Sequence, residues 1–410
     1  MNNRFLQTLS VKPFLFLWLA EVFSQISMNL LNFTLLIVAF KLTGSNTAVS
    51  GIVLAFTLPA VLLGILAGVL VDRWNKKRVL FLTNFLRTIL LLFVVFFHSE
   101  LTVVYLVAFF VSVITQFFVP AETPMIPILI KKDNLMSANA LFGIGIYGSV
   151  LVAYALAGPL LLLLGETLTF AVLAFLFLLA TLCVSFIRVS KLEDSSKTVK
   201  QIAPSVIMGD VKSALHAISK TKEIYSSLFL LALSQFIILI LAVLGPGYAK
   251  DVLHIRVDQF PLLFVTPAAI GMVIGALLIG NYFQYRSRHK VAALGMMLAG
   301  FAVMLLPFGA SFSPNTHLMV IILGFSLGLT NAFIFVPSNT LIQEKTRESY
   351  RGKVYGALNS LTGVFSLIPI ILVGELADFY GVALVLTWLG VLIAFVGFSY
   401  LAFLMLKKKK

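Results

Sequence analysis

The chain is poor in charge, in acid and in cysteine. Only 11% of its 410 residues are charged, and 60% are hydrophobic. A soluble fold of this size cannot hide so much apolar surface, and the mean hydropathy of +1.05 points to a polytopic membrane protein. The single cysteine, Cys183, excludes an internal disulfide and a cysteine-held metal cluster. No phosphate-cradling glycine loop is present, so ATP is not expected as a direct energy source. Neither metal-ligand spacing nor a nucleophile–base set appears, so the chain is expected to be no enzyme and to need no cofactor or metal. The five histidines, His98, His216, His254, His289 and His317, fall in loops or at the ends of apolar runs, so any proton relay within the membrane has to use carboxylates. No small-residue cleavage site follows a short apolar stretch, and the first apolar segment is expected to stay as a helix.

Acids number 16 against 30 Lys and Arg, a formal charge of +14. Such an excess can mean nucleic-acid binding, but its placement argues otherwise. All of the 30 bases but Lys41, Arg87, Lys250 and Arg256 fall in terminal or inter-span segments of one side. That is the positive-inside bias of a membrane protein, not a duplex-binding surface. No nucleic-acid partner is therefore expected. A multi-pass protein of the cell (inner) membrane with both termini cytoplasmic is expected, its partners being the lipid bilayer, a small substrate and protons, and its working form a monomer.

Twelve apolar runs read as spans, each long enough for a ~30 Å hydrocarbon core. Their approximate limits are 14–40, 47–71, 78–98, 101–130, 138–163, 167–187, 225–249, 258–282, 290–311, 316–342, 352–376 and 382–406. They divide into two six-helix bundles, 1–187 and 225–410, separated by a polar cytoplasmic linker, 188–224. In the linker Val211, Leu215 and Ile218 recur at helical spacing, which predicts an amphipathic surface helix; a disordered linker is the alternative. The halves echo each other. FVPAET at Phe118 to Thr123 returns as FVPSNT at Phe335 to Thr340, Ser24-Gln25 as Ser234-Gln235, and Gly64 and Gly68 as Gly271 and Gly275. Paired halves of this kind are a transporter architecture, with a substrate site near the midplane.

Between spans 2 and 3 runs GILAGVLVDRWNKKRV, Gly64 to Val79. Gly64 and Gly68 share a helix face and invite close approach of another helix. Asp72 then ends the apolar run, and Arg73, Lys76, Lys77 and Arg78 follow. This stretch resembles the loop between helices 2 and 3 of the major facilitator superfamily, matching at Gly68, Leu70, Asp72, Arg73, Lys76 and Lys77, with Asn75 where Gly is usual. Pro120 to Leu141 and Thr346 to Ser360 resemble the drug:proton antiporter branch that contains macrolide and siderophore exporters, and Arg87 is typical of that branch. Its helix-5 pattern is met only at Gly158-Pro159, with Leu161 and Leu162 in place of the final glycines. The resemblance implies an all-α fold of twelve transmembrane helices in two pseudo-symmetric bundles (the major facilitator fold). It also implies a cytoplasmic gate in which Asp72 engages the start of helix 11, near Tyr350 to Val354; local pairing with Arg73 or Arg78 is the alternative.

Ionisable groups inside a span cost about 2.5–3.5 kcal/mol on insertion scales and need a reason. Three stand out: Glu21 in span 1, Arg87 in span 3 and Glu122 in span 4. Each is nine residues from a base, Lys12, Arg78 or Lys131, which predicts a common depth of roughly 13 Å. Two carboxylates and one guanidinium at one level suggest a proton-coupling cluster with Arg87 as charge partner; a static Arg87–Glu122 bridge is the other reading. Glu21 also heads a stripe with Gln25, Asn29 and Asn32, which is expected to face water or substrate. Gln235 is the repeat partner of Gln25, and Gln116, Asn331 and Asn339 are further amides in the cavity-lining spans. Such a cavity suits a lipophilic or amphiphilic compound with a cationic centre. The function expected is therefore export by alternating access in exchange for protons; a lipid or lysolipid translocator without proton coupling is the alternative.

Overall fold

The computed structural model describes residues 4–131, 134–188, 222–283, 286–308, 316–345 and 367–406. The fold is all-α, with no strand among the described residues. Ten described stretches are long and apolar enough to cross a membrane. One of them, Leu135–Phe186, has 52 residues, more than twice the ~20 that a crossing needs. It contains spans 5 and 6, and between them one residue leaves helical geometry. Gly165 has φ 73° and ψ −176°, a backbone state that a Cβ would strain, and it turns the chain between them. Span 11 is described only over 367–380. The expected linker helix lies outside the described residues.

The chain packs as two compact units, Met1–Thr43 with Gly51–Lys200 and Gly44–Ser50 with Gln201–Lys410. In the first, span 1 (Lys12–Thr43) packs along Leu135–Phe186, and span 3 (Lys76–Phe97) packs on that helix and on span 4 (Leu101–Glu122). Phe14, Leu17, Leu80, Phe118, Phe142 and Val184 form its core near the basic end. Buried polar groups pin the helices. Trp18 Nε1 donates to the Leu141 carbonyl at 2.8 Å, and Ser27 Oγ to the Leu173 carbonyl at 2.9 Å. A side-chain donor aimed at a helix carbonyl fixes both register and rotation, which apolar contact alone does not.

Span 4 was expected to reach residue 130, but its helix ends at Glu122, and Met125–Leu129 forms a separate short helix. Pro120, Pro124 and Pro127 each lack the N–H that the helical ladder needs, so the ladder fails across this run. The depth of Glu122 inferred from nine residues of continuous helix to Lys131 is accordingly wrong in its premise. Glu122 instead ends the span proper.

In the second unit span 10 (Thr316–Lys345) is the hub. Span 7 (Lys222–Gly247), the helix Thr266–Leu278 of span 8 and span 9 (Arg288–Leu305) all pack on it, and span 12 (Val382–Leu406) packs on span 9. Spans 8 and 10 touch backbone to backbone. A Cβ on Gly271 would overlap the Phe325 carbonyl, and one on Gly328 the Ala268 carbonyl. Gly328→Ala should therefore destabilise this unit by about 1–3 kcal/mol through overpacking, read as a lowered unfolding temperature in detergent. The repeat partners in the first unit differ. A Cβ on Gly64 would lie 3.7 Å from Gln116 Oε1, and one on Gly68 meets nothing within 4 Å among the described residues. Among the described residues, then, Gly271 and Gly275 meet a neighbouring backbone and Gly64 and Gly68 do not.

Candidate functional site: a buried carboxyl–guanidinium cluster

Spans 1, 3 and 4 bring Glu21, Arg87 and Glu122 together inside the first unit. All three are buried, at 0%, 1% and 6% exposure. Arg87 reaches neither carboxyl within ion-pair distance among the described residues. Its Nη1 donates to Ser24 Oγ at 3.0 Å and Asn84 Oδ1 at 3.3 Å, and its Nη2 to Thr115 Oγ1 at 3.0 Å. The guanidinium also stands over the Phe118 ring at 4.8 Å and the Phe177 ring at 5.4 Å from the centroids. The static Arg87–Glu122 bridge is therefore not what holds the arginine. Neutral oxygens and π-faces do, with both carboxylates acting on it through space. Asn84 sits one turn before Arg87 in span 3, and its polar side chain in an apolar run was a visible signal. Thr115 and the two rings were not singled out by spacing.

Glu21 and Glu122 are near enough to act on each other electrostatically. Among the described residues Glu21 Oε2 and Glu122 Oε1 have no hydrogen-bond donor, and Arg87 Nε and Asn84 Nδ2 have no acceptor. Unmatched polar atoms at this depth destabilise unless water or a mobile ligand meets them. The other Glu21 oxygen accepts from Gln25 Nε2 at 2.9 Å, and Asn29 Nδ2 donates to the Gln25 carbonyl at 2.8 Å.

The polar stripe of span 1 thus divides. Gln25, Asn29 and Asn32 are half-buried, whereas Glu21 is enclosed by spans 3 and 4 and does not itself face open space. Asn32 Oδ1 has no partner among the described residues. In the second unit Gln235 is exposed, and its neighbour Ser234 donates to Asn331 Oδ1 at 2.6 Å, much as Ser24 donates to Asn84 Oδ1 at 3.1 Å in the first.

In the loop after span 2, Asp72 and Arg73 are exposed. Asp72 forms no ion pair among the described residues, and the start of span 11 that the resemblance assigns to it lies outside them. Lys76 Nζ donates to the Asp72 carbonyl at 2.6 Å, a cation at a helix C-terminus, and Lys77 Nζ to the Ser185 carbonyl at 3.0 Å. Asn75 has a local role: its Oδ1 accepts from the Arg78 amide at 3.1 Å and caps span 3. Asn75→Ala should lower thermal stability by about 1 kcal/mol, but Asn75→Gly by only a few tenths, measured by detergent unfolding.

The sequence profile of the Major Facilitator Superfamily matches residues 17–368. The chain belongs to that superfamily. Macrolide efflux protein A of Streptococcus pyogenes is 24% identical over 380 residues, covering 89% of each chain. Macrolide efflux protein A of Enterococcus faecalis is 26% identical over 333 residues, covering 78% of this chain and 96% of that one. The crystal structure of the nucleoside transporter NupG superposes with a TM-score of 0.75 at 14% identity, over 95% of this chain and 98% of that chain. The likeness to NupG shows the fold: two six-helix bundles in the arrangement of this superfamily. As a member of the superfamily the protein is a multi-pass membrane transporter.

Proposed function

We propose that the protein exports a lipophilic or amphiphilic compound with a cationic centre in exchange for protons, by alternating access. The observation that carries this reading is the burial of Glu21 and Glu122 together with Arg87. With one proton shared between the two carboxyls, the cluster is a near-neutral group in oil. Losing that proton leaves an extra negative charge that only water, a new donor or a cationic substrate can meet. Proton occupancy and cation binding would then exclude each other, which is the requirement of an antiporter. The relatives named for macrolide efflux support outward transport and make a macrolide the first compound to try.

The test is uptake of a compound panel, macrolide first, into energised inverted vesicles. Accumulation above that of vesicles lacking the protein, abolished by an uncoupler, is expected. No accumulation, or accumulation indifferent to the uncoupler, overturns the reading. Leu161 and Leu162, which stand in place of the helix-5 glycines, leave open a second reading, a lipid or lysolipid translocator without proton coupling. Fluorescent-lipid scrambling by purified protein in vesicles, equal with and without a pH gradient, would select it.

A further inference from the structure

At the basic end of the first unit, three bases from three helices gather around one exposed aromatic pair. Lys12 opens span 1 and is exposed, and Phe16 follows one turn later on the same helix face. The Phe16 ring lies 5.5 Å, centroid to centroid, from that of Phe186, the last residue of the helix Leu135–Phe186. Phe186 is 60% exposed. The carbonyl of its neighbour Ser185 accepts from Lys77 Nζ at 3.0 Å, and exposed Arg188 stands just beyond. Spans 1 and 3 and the end of span 6 thus each bring a base to one place. Phe14, Leu80 and Val184 share a core that holds the same three helices together beside it. One helical turn is about 5.4 Å, so Phe16 is rooted that much deeper in the membrane than Lys12. The result is an apolar floor beneath a cationic rim.

Among the described residues no carboxylate pairs with Lys12, Lys77 or Arg188. Spans 1 and 3 both begin with lysine here, and neither has an acid in its first turn. The Ser185 carbonyl takes only one of the three N–H donors of Lys77. We infer that this rim and floor hold an anionic phospholipid of the leaflet on that side. Its phosphate lies among Lys12, Lys77 and Arg188, and its glycerol and first acyl carbons lie over Phe16 and Phe186. The two-part chemistry selects this occupant. A free phosphate meets the rim but leaves the rings uncovered, whereas a lipid meets both. A zwitterionic headgroup brings a cation of its own into a rim that is already positive, so an anionic one is preferred. Each base near a membrane surface favours an anionic lipid by about fivefold. The bound lipid joins the starts of spans 1 and 3 to the end of span 6 across the headgroup level.

The inference depends neither on the compound transported nor on proton coupling. It is tested on the full-length protein in phosphatidylcholine vesicles that contain a minority of phosphatidylglycerol. A photoreactive benzoylphenylalanine replaces Phe186, which keeps an aromatic ring there. In a second sample it replaces Phe175, 56% exposed and about three turns earlier in the same helix, as the reference. Irradiation joins the probe to the lipid beside it, and mass spectrometry of the adduct reads the headgroup. At Phe186, phosphatidylglycerol should be captured at least several-fold above its share of the bilayer, and at Phe175 in proportion to that share. Lys12→Gln with Arg188→Gln should lower the enrichment at Phe186 by about fivefold per base, down to the bilayer share. Both side chains are exposed, so the helices keep their packing. Arg286→Gln with Lys290→Gln removes the same charge from the second unit and should leave the enrichment in place. No lipid adduct at Phe186, no enrichment there, or equal enrichment at Phe175 overturns the inference. So does enrichment that survives the loss of Lys12 and Arg188. Equal loss in the charge-matched variant overturns it too, because the preference would then belong to the surface charge as a whole.

Discussion

Glu21→Gln should leave the protein folded and present in the membrane, yet unable to build a compound gradient from a proton gradient. The amide matches the carboxyl in size and can still accept from Gln25 Nε2, whose bond to Glu21 Oε1 is 2.9 Å. It also carries N–H donors, so the buried group stays polar without a proton to titrate. What is lost is titration. Exchange of one proton for one cation moves no net charge, so the pH difference alone drives it, at about 1.36 kcal/mol or a tenfold gradient per pH unit. The variant should therefore fall from a gradient of that order to none, while downhill movement of preloaded compound continues. Glu122→Gln should behave alike, because either substitution removes the pair's proton. The check is accumulation in inverted vesicles over a series of imposed pH gradients, with surface expression measured in parallel. If Glu21→Gln accumulates compound as the parent does at every gradient, the proton is carried elsewhere, and the cluster reduces to a structural feature.

The fold was legible in the sequence because its cause is compositional. Runs of about 20 apolar residues must cross as helices, and the placement of Lys and Arg orders them. The repeated FVP segments and glycine pairs disclosed two related halves. The details that differed are those in which one residue overrides a pattern. Three prolines end span 4 at Glu122, whereas hydropathy runs on to residue 130. Gly64 and Gly68 carry the same spacing as Gly271 and Gly275, but among the described residues only the second pair meets a neighbouring backbone; spacing shows that a helix can be approached and not that one approaches. At the site, the three ionisable residues were legible as charges in oil. The neutral partners of Arg87 were not, since pairing across helices depends on rotation about each axis, which one-dimensional spacing leaves free.

Arg87→Met should be the most destabilising single change in the first unit. Methionine matches much of the arginine's length and keeps the apolar stem, so the loss isolates the guanidinium. Removing it strips the acceptor oxygens of Ser24, Asn84 and Thr115 of a charged donor and takes the positive charge from beside two carboxyls. Breaking one side of a buried charged group typically costs about 3–5 kcal/mol, because the other side stays buried and uncompensated. The unfolding temperature in detergent should drop sharply, and the yield of monodisperse protein with it. The cost lies in the leftover charge, so neutralising that charge should return part of it. Arg87→Met combined with Glu21→Gln and Glu122→Gln should be more stable than Arg87→Met alone, although it carries three substitutions. Simple additivity predicts the reverse, and the difference between the two measures the coupling. If the triple variant is less stable than Arg87→Met, the carboxyls and the guanidinium act independently, and the cluster does not operate as one charge-balanced unit.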